Sequence, residues 1–253
     1  MQSDTAIGAT VRSMTILEIV ADSPEPIGVT AIADQTELSK GTVSKHLSTL
    51  HELGYVDRSD GHYLPSVQFL DYGIRTGSLS ELHRAATAPI DELAEMTNEV
   101  AGMAIEHNGR VVDVYLSTKH ADRDFPAYNT RLLHCSAAGK AILAEQSDDA
   151  LDALLEDHRP ERTEYTITAE PELRAELDRI RDRGVAFDRQ EQFPRVNSVA
   201  DGISTGSLTG AVFVSGWADE LSGKRFEENV PGILFSASSM LLSALSAEPA
   251  SRR

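Results

Sequence analysis

Cysteine is almost absent from the sequence, which contains a single one, Cys135, among 253 residues. One cysteine cannot form an internal disulfide and cannot build a multi-cysteine metal site. Proteins of reducing compartments commonly have this composition. We therefore expect a cytoplasmic protein that holds no metal and no cofactor.

Long apolar runs are missing as well. The longest, such as Ile16-Leu17 and residues 211–214, are far shorter than the roughly 20 residues that a membrane-spanning helix needs. Glu18 interrupts the one apolar stretch near the N-terminus, so we expect no export signal. The sequence thus predicts a protein that has no membrane partner.

Basic residues are few for a protein that would contact nucleic acid. There are 23 Lys and Arg residues against 40 Asp and Glu residues, and the formal net charge is −17. Such an excess of negative charge, taken alone, disfavours a nucleic-acid partner. It also suits a cytoplasm of very high salt, where an acidic surface stays hydrated and the Debye length shrinks to roughly 3 Å. We favour this halophile hypothesis.

The first third of the chain predicts three helices. Apolar residues at helical spacing indicate a first helix over residues 7–21 and a short second helix over residues 29–33. Ser39 is a suitable N-cap for a third helix, which ends before Gly54. The apolar positions that define the three buried faces are Ile7, Val11, Met14, Leu17 and Ala21, then Val29, Ile32 and Ala33, then Val43, Leu47 and Leu50.

A β-hairpin follows the third helix. Residues 55–58 and 62–64 are two short β-prone segments, and Asp60-Gly61 between them is a strong hairpin-turn signal. Helix, helix, turn, helix and hairpin is the order of a winged helix-turn-helix. In that arrangement the third helix enters the major groove of DNA and the hairpin, or wing, lies along the backbone.

The charge of the third helix differs from that of its surroundings. Residues 1–65 carry 4 basic and 9 acidic side chains, a balance of 4 − 9 = −5, yet residues 38–51 contain no Asp or Glu. An acid-free helix on an acidic protein indicates a surface that meets phosphate. The residues that we predict to contact DNA are Thr30, Ser39, Lys40, Gly41, Thr42, Ser44, Lys45, His46, Ser48, Arg58 and His62.

Gly41 and the two lysines of this helix each allow a structural and a functional interpretation. Gly41 in the first helical turn costs about 1 kcal/mol relative to Ala, but it allows the backbone to come close to a phosphate. The alternative interpretation is that Lys40 and Lys45 are ordinary solvated helix residues. The position of both lysines in the predicted recognition helix favours the DNA-contact interpretation.

The rest of the chain predicts an α+β domain. A helix is expected over residues 80–98, followed by a hairpin of residues 101–106 and 111–116 around an Asn108-Gly109 turn. Antiparallel strands mixed with helices are typical of the α+β class. Further helices are expected at residues 137–144, 148–155, 171–183 and 230–247, and strands near residues 185–189, 199–203 and 210–215.

Several of these segments together resemble the IclR family of transcription regulators. Residues 26–55, which include Ser-Lys-Gly-Thr-Val at 39–43, resemble the helix-turn-helix of that family, and His62-Tyr63-Leu64-Pro65 resembles the end of its wing. Farther along, the segments that resemble the family signatures are residues 133–144, 181–191, 196–200 and 210–216. They occur in the same order as in the family and spread over roughly residues 7–245.

The resemblance implies an architecture and a function. Residues 1–65 are expected to form the winged helix-turn-helix, residues 66–84 a linker helix, and residues 85–253 a GAF-like effector-binding domain. It implies a repressor-type regulator that binds a pseudo-palindromic operator in double-stranded DNA as a homodimer or a dimer of dimers. A small organic effector in the C-terminal domain is expected to modulate DNA binding.

The expected effector site lies ahead of the helix at residues 137–144. Small residues there leave room, and the free N–H groups of a first helical turn suit a carboxylate. The alternative is that the segment 136–138 is simply a tightly packed helix start. The loop supplies His134, Ser136 and Gly139, and the resemblance adds Leu133, Ala137, Ala138, Asp188, Val196, Ser198, Phe213 and Ser215.

Other chemistries fit the sequence less well. Gly139-Lys140 does not end a phosphate loop, because His134 stands where that loop needs Gly and Ala141 stands where it needs Ser or Thr. A thiol nucleophile at Cys135, or a zinc site with His107 and His120, lacks a spaced ligand pair. Two alternative functions stay open: an enzyme that uses Cys135, His134 and Asp188, and a winged helix that docks a protein partner.

Overall fold

The computed structural model describes residues 6–75, 78–121, 124–126, 131–155, 159–205 and 208–247. Residues 76–77 of the expected linker lie outside the described residues. The chain divides into two compact units, residues 1–80 and residues 81–253. A first unit of helices with a three-stranded sheet, and a second unit with a large sheet flanked by helices, confirm the predicted α+β class.

The first unit contains the predicted helices. They are α1 (Gly8–Asp22), α2 (Val29–Asp34) and α3 (Lys40–Glu52), and α4 (Gln68–Ile74) follows the hairpin. The buried side chains of α1, α2 and α3 form one core with the hairpin. This core includes Ile16, Val20, Ile32, Val43, Leu47, Leu50, Val56 and Tyr63.

The predicted buried face of α1 is wrong. Ile16 and Val20 are its fully buried residues, whereas Ile7 and Met14 are exposed by 72% and 45%. The segment 14–20 is apolar at most positions, so periodicity alone supports several overlapping stripes. The second half of α1 packs against α3 and the hairpin, and this packing buries Ile16 and Val20, which are four residues apart.

A three-stranded antiparallel sheet completes the first unit. It consists of β1 (Ile27–Gly28), β2 (Val56–Ser59) and β3 (His62–Pro65), in the order β1-β3-β2. Asp60 and Gly61 have φ values of 50° and 81°, and they connect Ser59 to its partner His62. Two consecutive residues with positive φ form a two-residue turn whose twist matches the right-handed twist of the two strands. The predicted wing hairpin is therefore confirmed.

The second unit is built on a six-stranded antiparallel sheet in the order β6-β5-β4-β9-β8-β7. The Asn108-Gly109 turn between β4 and β5, with φ values of 51° and 76°, confirms the predicted second hairpin. The strands are β4 (Val100–His107), β5 (Arg110–Ser117), β6 (Arg131–Leu132), β7 (Ala186–Arg189), β8 (Val196–Thr205) and β9 (Leu208–Trp217).

Helices cover both faces of this sheet. Alternate residues of β9 point to opposite sides, so Val212 and Val214 pack with one set of helices and Ala211 and Phe213 with the other. The first set is α5 (Ser78–Thr97), which contains Pro89, and α9 (Val230–Ala247), which follows a π-helical turn (Arg225–Asn229). The second set is α6 (Ala137–Ala144), α7 (Asp148–Leu155) and α8 (Glu170–Arg183).

One described helix has the length and apolar composition of a membrane span. It is the segment Arg225–Ser246, with a mean hydropathy of 1.3. Its inner side, which includes Val230, Leu234 and Leu241, is buried against the sheet. A core helix of a globular domain passes the same test, so the segment is weak support for a membrane location.

Candidate functional site

The start of α3 is held by a side-chain cap. Ser39 has extended backbone angles, and its Oγ accepts a hydrogen bond from the Thr42 N–H at 3.2 Å. This cap satisfies one of the free N–H groups of the first turn. Gly41 in that turn is exposed, and a Cβ there would meet only the Ser39 Oγ, at 3.9 Å. Packing within the unit therefore does not require glycine at this position.

The outer face of α3 carries most of the predicted DNA contacts. Val43, Leu47 and Leu50 hold the opposite face in the core. The side chains of Ser39, Lys40, Lys45 and Ser48 are exposed together with Gly41, while those of Thr42, Ser44 and His46 are half-buried. Four of these side chains have partners within the unit: Ser39 Oγ lies 2.9 Å from Thr42 Oγ1, His46 Nδ1 lies 2.8 Å from Ser13 Oγ on α1, and Ser48 Oγ donates to the Ser44 carbonyl.

The lysines of the chain fall into two groups. Lys119, Lys140 and Lys224, all in the second unit, each form an ion pair with a carboxylate. Lys40 and Lys45 on α3 form none with any residue that the structure describes. On a chain of net charge −17, two uncompensated cations on one acid-free helix form a local surface that can meet phosphate.

The wing and α2 supply the remaining predicted contacts. Thr30 is exposed in the first turn of α2, and Arg58 and His62 are exposed on the wing. The Arg58 guanidinium lies 5.6 Å from the centre of the Tyr63 ring. Asp57 and Asp60 are exposed on the same hairpin, so the wing does not share the acid-free character of α3.

A narrow, partly open cavity lies in the second unit at the N-terminal end of α6. We call it the effector cavity. Eight of the eleven predicted effector residues line it: Ser136, Ala137, Ala138, Asp188, Val196, Ser198, Phe213 and Ser215. The sequence prediction missed its other lining residues, Phe125, Pro126, Arg131, Gln192 and Phe193.

Three predicted effector residues do not line the cavity. Leu133 is buried in the core around α6, and His134 Nε2 lies 3.1 Å from the Pro160 carbonyl oxygen. A Cβ on Gly139 would come within 2.4 Å of the Leu133 carbonyl oxygen. Gly139 therefore allows α6 to pack against the preceding loop, which agrees with the packing interpretation at that position.

The polar groups of the effector cavity are mostly engaged. Ser198 Oγ and Ser215 Oγ are 2.8 Å apart, and Arg131 forms an ion pair with Asp113 while its guanidinium lies 4.4 Å from the Phe213 ring centre. Asp188 is buried, and its Oδ1 accepts the Glu191 N–H at 2.7 Å. Burial raises the pKa of Asp188 to about 7, although the nearby Lys140 charge acts in the opposite direction.

Two family models match the chain. The family described as "Bacterial transcriptional regulator IclR C-terminal" matches residues 76–241, and the "IclR helix-turn-helix domain" matches residues 9–60. The chain belongs to the IclR family. It is a DNA-binding transcriptional regulator with the two-domain layout of that family, as the resemblance implied.

Relatives of this IclR-family chain match it over most of their length. A probable HTH-type transcriptional regulator ArcR of Halobacterium salinarum is 27% identical over 240 residues, covering 90% of this chain and 91% of the relative. The regulator BhcR of Paracoccus denitrificans is 30% identical over 229 residues, covering 87% and 81%.

Solved structures show the same fold. An IclR homologue from Microbacterium hydrocarbonoxydans, complexed with 4-hydroxybenzoate, has a TM-score of 0.77 at 16% identity, covering 95% of this chain and all of that one. The Rhodococcus regulator RHA06195 has a TM-score of 0.73 at 24% identity, covering 95% and 99%.

Behind the effector cavity of this IclR-family chain lies a buried charged cluster. Lys140 Nζ is 2.5 Å from Glu191 Oε1, and the Lys140 side chain is 1% exposed. Cys135 Sγ donates to Gln192 Oε1 at 3.1 Å. Burial, with the charges of Asp188 and Glu191, raises the pKa of the Cys135 thiol to about 12. The thiolate that a nucleophile or metal ligand needs is therefore strongly disfavoured.

Proposed function

We propose that this regulator binds a pseudo-palindromic operator in double-stranded DNA through the outer face of α3, and that a small organic effector in the effector cavity modulates this binding. The observation that supports the DNA contact is the pair of lysines, Lys40 and Lys45, which have no carboxylate partner among the described residues and lie on an acid-free helix. Phosphate contacts from such groups position a recognition helix in the groove.

The contact residues that we assign on this basis differ in accessibility. Eight of them are exposed and therefore suited to direct contacts with DNA. They are Thr30, Ser39, Lys40, Gly41, Lys45, Ser48, Arg58 and His62. Thr42, Ser44 and His46 are half-buried and would contact DNA at their outer edges. The carboxylates of Asp57 and Asp60 repel phosphate, so we assign the wing a smaller share of the binding energy than α3.

The proposed effector is an organic acid of modest size. Arg131, which also pairs with Asp113, brings a guanidinium to the cavity, and the N-terminus of α6, where Ser136 caps the Gly139 N–H, lies beside it. Phe125, Phe193 and Phe213 supply apolar wall. Because the pKa of Asp188 is raised to about 7, this carboxyl is partly protonated near neutral pH and can donate a hydrogen bond to a ligand carboxylate.

The proposed assembly is a homodimer, or a dimer of dimers, of repressor type. Twofold symmetry in the protein matches twofold symmetry in an operator. The first unit exposes large apolar side chains that a second copy of the chain would cover. They are Ile7, Met14, Leu53, Val67, Phe69, Leu70 and Tyr72. We assign residues 66–84, which include α4 and the start of α5, as the linker between the two domains.

An enzymatic role is the alternative that the geometry disfavours. The Cys135 thiol is buried and donates to an amide oxygen, so no neighbouring base activates it. His134 Nε2 faces the Pro160 carbonyl oxygen, and Asp188 accepts backbone N–H groups. A regulator whose cytoplasmic ligand occupies the effector cavity accounts for these residues without turnover.

A footprint on the DNA that flanks its own gene tests the proposal. We expect Lys45→Ala to abolish protection while leaving an effector-induced rise in melting temperature intact, because Lys45 belongs to the first unit and the cavity to the second. The matched control is Lys224→Ala, which removes an exposed lysine of the second unit and should leave the footprint unchanged.

The footprint should be recorded at several salt concentrations, because counterion release drives association less as salt rises. Protection that is unchanged in Lys45→Ala would remove this residue from the DNA contacts. Absence of any sequence-specific footprint for the wild type at every salt concentration would favour a winged helix that docks a protein.

A further inference from the structure

Gln192 is the most deeply buried polar side chain of the loop that follows β7. It is 2% exposed, and it lines the effector cavity. A side-chain amide has an end that accepts hydrogen bonds and an end that donates them. The contacts of Gln192 with its neighbours therefore decide which of the two ends a ligand in the cavity would meet.

These contacts fix the orientation of the amide. Gln192 Oε1 accepts hydrogen bonds from the Leu132 N–H at 3.0 Å and from the Cys135 thiol at 3.1 Å. A backbone N–H only donates, so this contact distinguishes the amide oxygen from the amide nitrogen. Leu132 and Cys135 are not among the described residues that line the effector cavity. It follows that the oxygen faces the loop 132–135 and that the NH2 group is the end on the cavity side.

The main chain of the loop after β7 is anchored as well. Asp188 Oδ1 accepts the N–H groups of Glu191 and Gln192, at 2.7 Å and 3.4 Å. The Glu191 carbonyl oxygen accepts from the hydroxyl groups of Thr163 and Thr166. A donor that is already held in place loses little conformational entropy when a ligand binds to it. Gln192 is thus preorganised for a ligand contact.

We propose that the NH2 group of Gln192 donates to an oxygen of the effector, and that Cys135 is the residue that positions this donor. The two N–H groups of a primary amide suit an acceptor such as a carboxylate and cannot pair with an ammonium group. Gln192 is thus a specificity-determining residue of the effector cavity. Its role as a ligand contact rests on the proposed function, whereas its contact with the thiol does not.

The chemistry of Cys135 suits a positioning role. Its side chain is fully buried, and it touches the amide of Gln192 and not the cavity. Burial raises the pKa of the thiol to about 12, and the charges of Asp188 and Glu191 act in the same direction. The sulfur therefore keeps its hydrogen near neutral pH and remains a donor. Because a thiol is a weak donor, it directs the amide more than it adds binding energy.

Raman spectroscopy of the full chain tests the thiol contact without any ligand. Cys135 is the only cysteine of the sequence, so the S–H stretching band reports on this one thiol. Donation to an acceptor weakens the S–H bond and lowers the wavenumber of its stretch. We expect Gln192→Met, which removes the acceptor, to raise the wavenumber of the band. A band that does not move in this variant would overturn the positioning role.

The matched control for this substitution is Gln190→Met. Gln190 lies on the same loop, its Oε1 accepts the Arg195 N–H at 3.1 Å, and it is not among the described residues of the cavity lining. The variant removes a glutamine amide from the loop but leaves the Cys135 acceptor in place. Its S–H band should coincide with that of the wild type, and a shift as large as that of Gln192→Met would mean that any change in the loop disturbs the thiol.

Isothermal titration calorimetry on the full chain tests the ligand contact. The probes are sodium benzoate, sodium hexanoate and sodium propionate, because the cavity combines apolar wall with groups that donate to a carboxylate. We expect at least one of these acids to bind the wild type at one site per chain. Gln192→Met should weaken that acid at least about tenfold, and Gln190→Met should bind it like the wild type. Equal affinity in Gln192→Met and the wild type would overturn the assignment of Gln192 and leave the proposed function intact.

Two variants of Cys135 separate positioning from packing. Cys135→Ala removes the donor and should weaken the same acid about threefold. Cys135→Ser replaces the thiol with a hydroxyl that also donates, so it should restore the affinity of the wild type. An equal loss in both variants would indicate packing alone and would overturn the positioning role.

Two further results keep the test decisive. If circular dichroism shows that Gln192→Met does not fold, Gln192→Leu takes its place in both experiments. If the wild type binds none of the three acids, the role of Gln192 as a ligand contact is wrong together with the proposal of an organic acid. The Raman band then still decides whether Cys135 holds the amide.

Discussion

Lys140 and Glu191 are the residues whose burial is least expected from their chemistry. The Lys140 side chain is 1% exposed, and Glu191 Oε2 has no hydrogen-bond partner among the described residues. Removing two charges from water costs several kcal/mol per ion, and their mutual attraction only offsets that cost. The pair therefore holds the end of β7 to α6 behind the effector cavity without adding much net stability.

We expect Lys140→Met to lower the free energy of unfolding by about 3–5 kcal/mol, because it leaves the Glu191 carboxylate buried without its partner. The double variant Lys140→Met with Glu191→Leu should recover most of that loss. Urea unfolding followed by circular dichroism measures both, and Lys224→Met serves as the control on an exposed lysine. A double variant no more stable than the single one would contradict this account.

Asp188 makes stability depend on pH. Burial raises its pKa from 3.8 to about 7 in the folded chain, so between these values the folded protein holds a proton that the unfolded chain has lost. Asp188 therefore contributes fully to the free energy of unfolding below pH 3.8, and this contribution is lost as pH rises through the folded-state pKa of about 7.

Asp188→Asn should remove this dependence. We expect the difference in unfolding free energy, wild type minus variant, to fall with rising pH between these two pKa values, by at most about 1.4 kcal/mol per pH unit. Urea unfolding at a series of pH values measures it. A flat difference would show that Asp188 titrates with its ordinary pKa, and a difference that rises with pH would show that folding lowers that pKa.

The sequence predicts some residues of the effector cavity and misses others. Ser136, Ala137 and Asp188 lie in continuous segments that resemble the family, so they could be assigned by position. Phe125 lies outside these segments and no local pattern marks it, whereas Arg131 lies only two residues before the segment 133–144. Gln192 directly follows the segment 181–191, and a polar residue beside Asp188 was a signal that could have been used.

At the scale of elements, α3 and α6 begin in the same way. Ser39 Oγ accepts from the N–H of Thr42, and Ser136 Oγ accepts from the N–H of Gly139. A serine cap three residues before its donor fixes where each helix starts, and hence which side chains its first turn presents. Helix α3 and the helix wall of the effector cavity both depend on such a cap.

Two substitutions of Ser39 should separate its contribution to helix stability from its contribution to DNA binding. We expect Ser39→Ala to lower stability by about 1 kcal/mol, and Ser39→Asp to restore it, since a carboxylate also caps a helix N-terminus. The Asp variant should nevertheless bind DNA more weakly, because it adds a negative charge to the acid-free face. Thermal unfolding and footprinting measure the two effects, with Thr49→Ala, an exposed residue of the same helix outside the assigned contacts, as the control. An Asp variant that binds DNA as well as the wild type would place Ser39 away from phosphate.

Long elements were predicted well and very short ones were not. The structure confirms helices α6, α7 and α9 at the predicted residues, because each has a clear apolar period over at least two turns. β1 and β6 are two residues long and exist only through pairing with distant strands. The π-helical turn before α9 likewise has no local signature. Such elements come from tertiary contacts that a single sequence does not display.

At the scale of the whole molecule, the dominant feature is the net charge of −17. Carboxylates that repel one another across the surface oppose compaction, and dissolved salt screens that repulsion. The halophile hypothesis therefore makes a thermodynamic claim about the entire chain and not about any one site.

We expect the melting temperature to rise as KCl is raised from about 0.1 M to about 2 M, because screening shortens the Debye length from roughly 10 Å to a few Å. Each kcal/mol of relieved repulsion raises Tm by about 2–4 °C in a chain of this size. Scanning calorimetry measures this, with an uncharged osmolyte at equal osmolality as the control for solvent effects. A steady fall in Tm with added KCl would contradict the halophile hypothesis.

The close approach of Gly139 to the Leu133 carbonyl oxygen limits which substitutions this regulator can accept during evolution. Since any side chain at 139 would collide with backbone, the helix wall of the pocket is fixed by packing and cannot drift freely during evolution. Arg131, Gln192 and Phe193 line the cavity from outside that helix. We expect duplicated copies of this gene to acquire new chemical signals by changing the opposite wall while the helix wall stays constant.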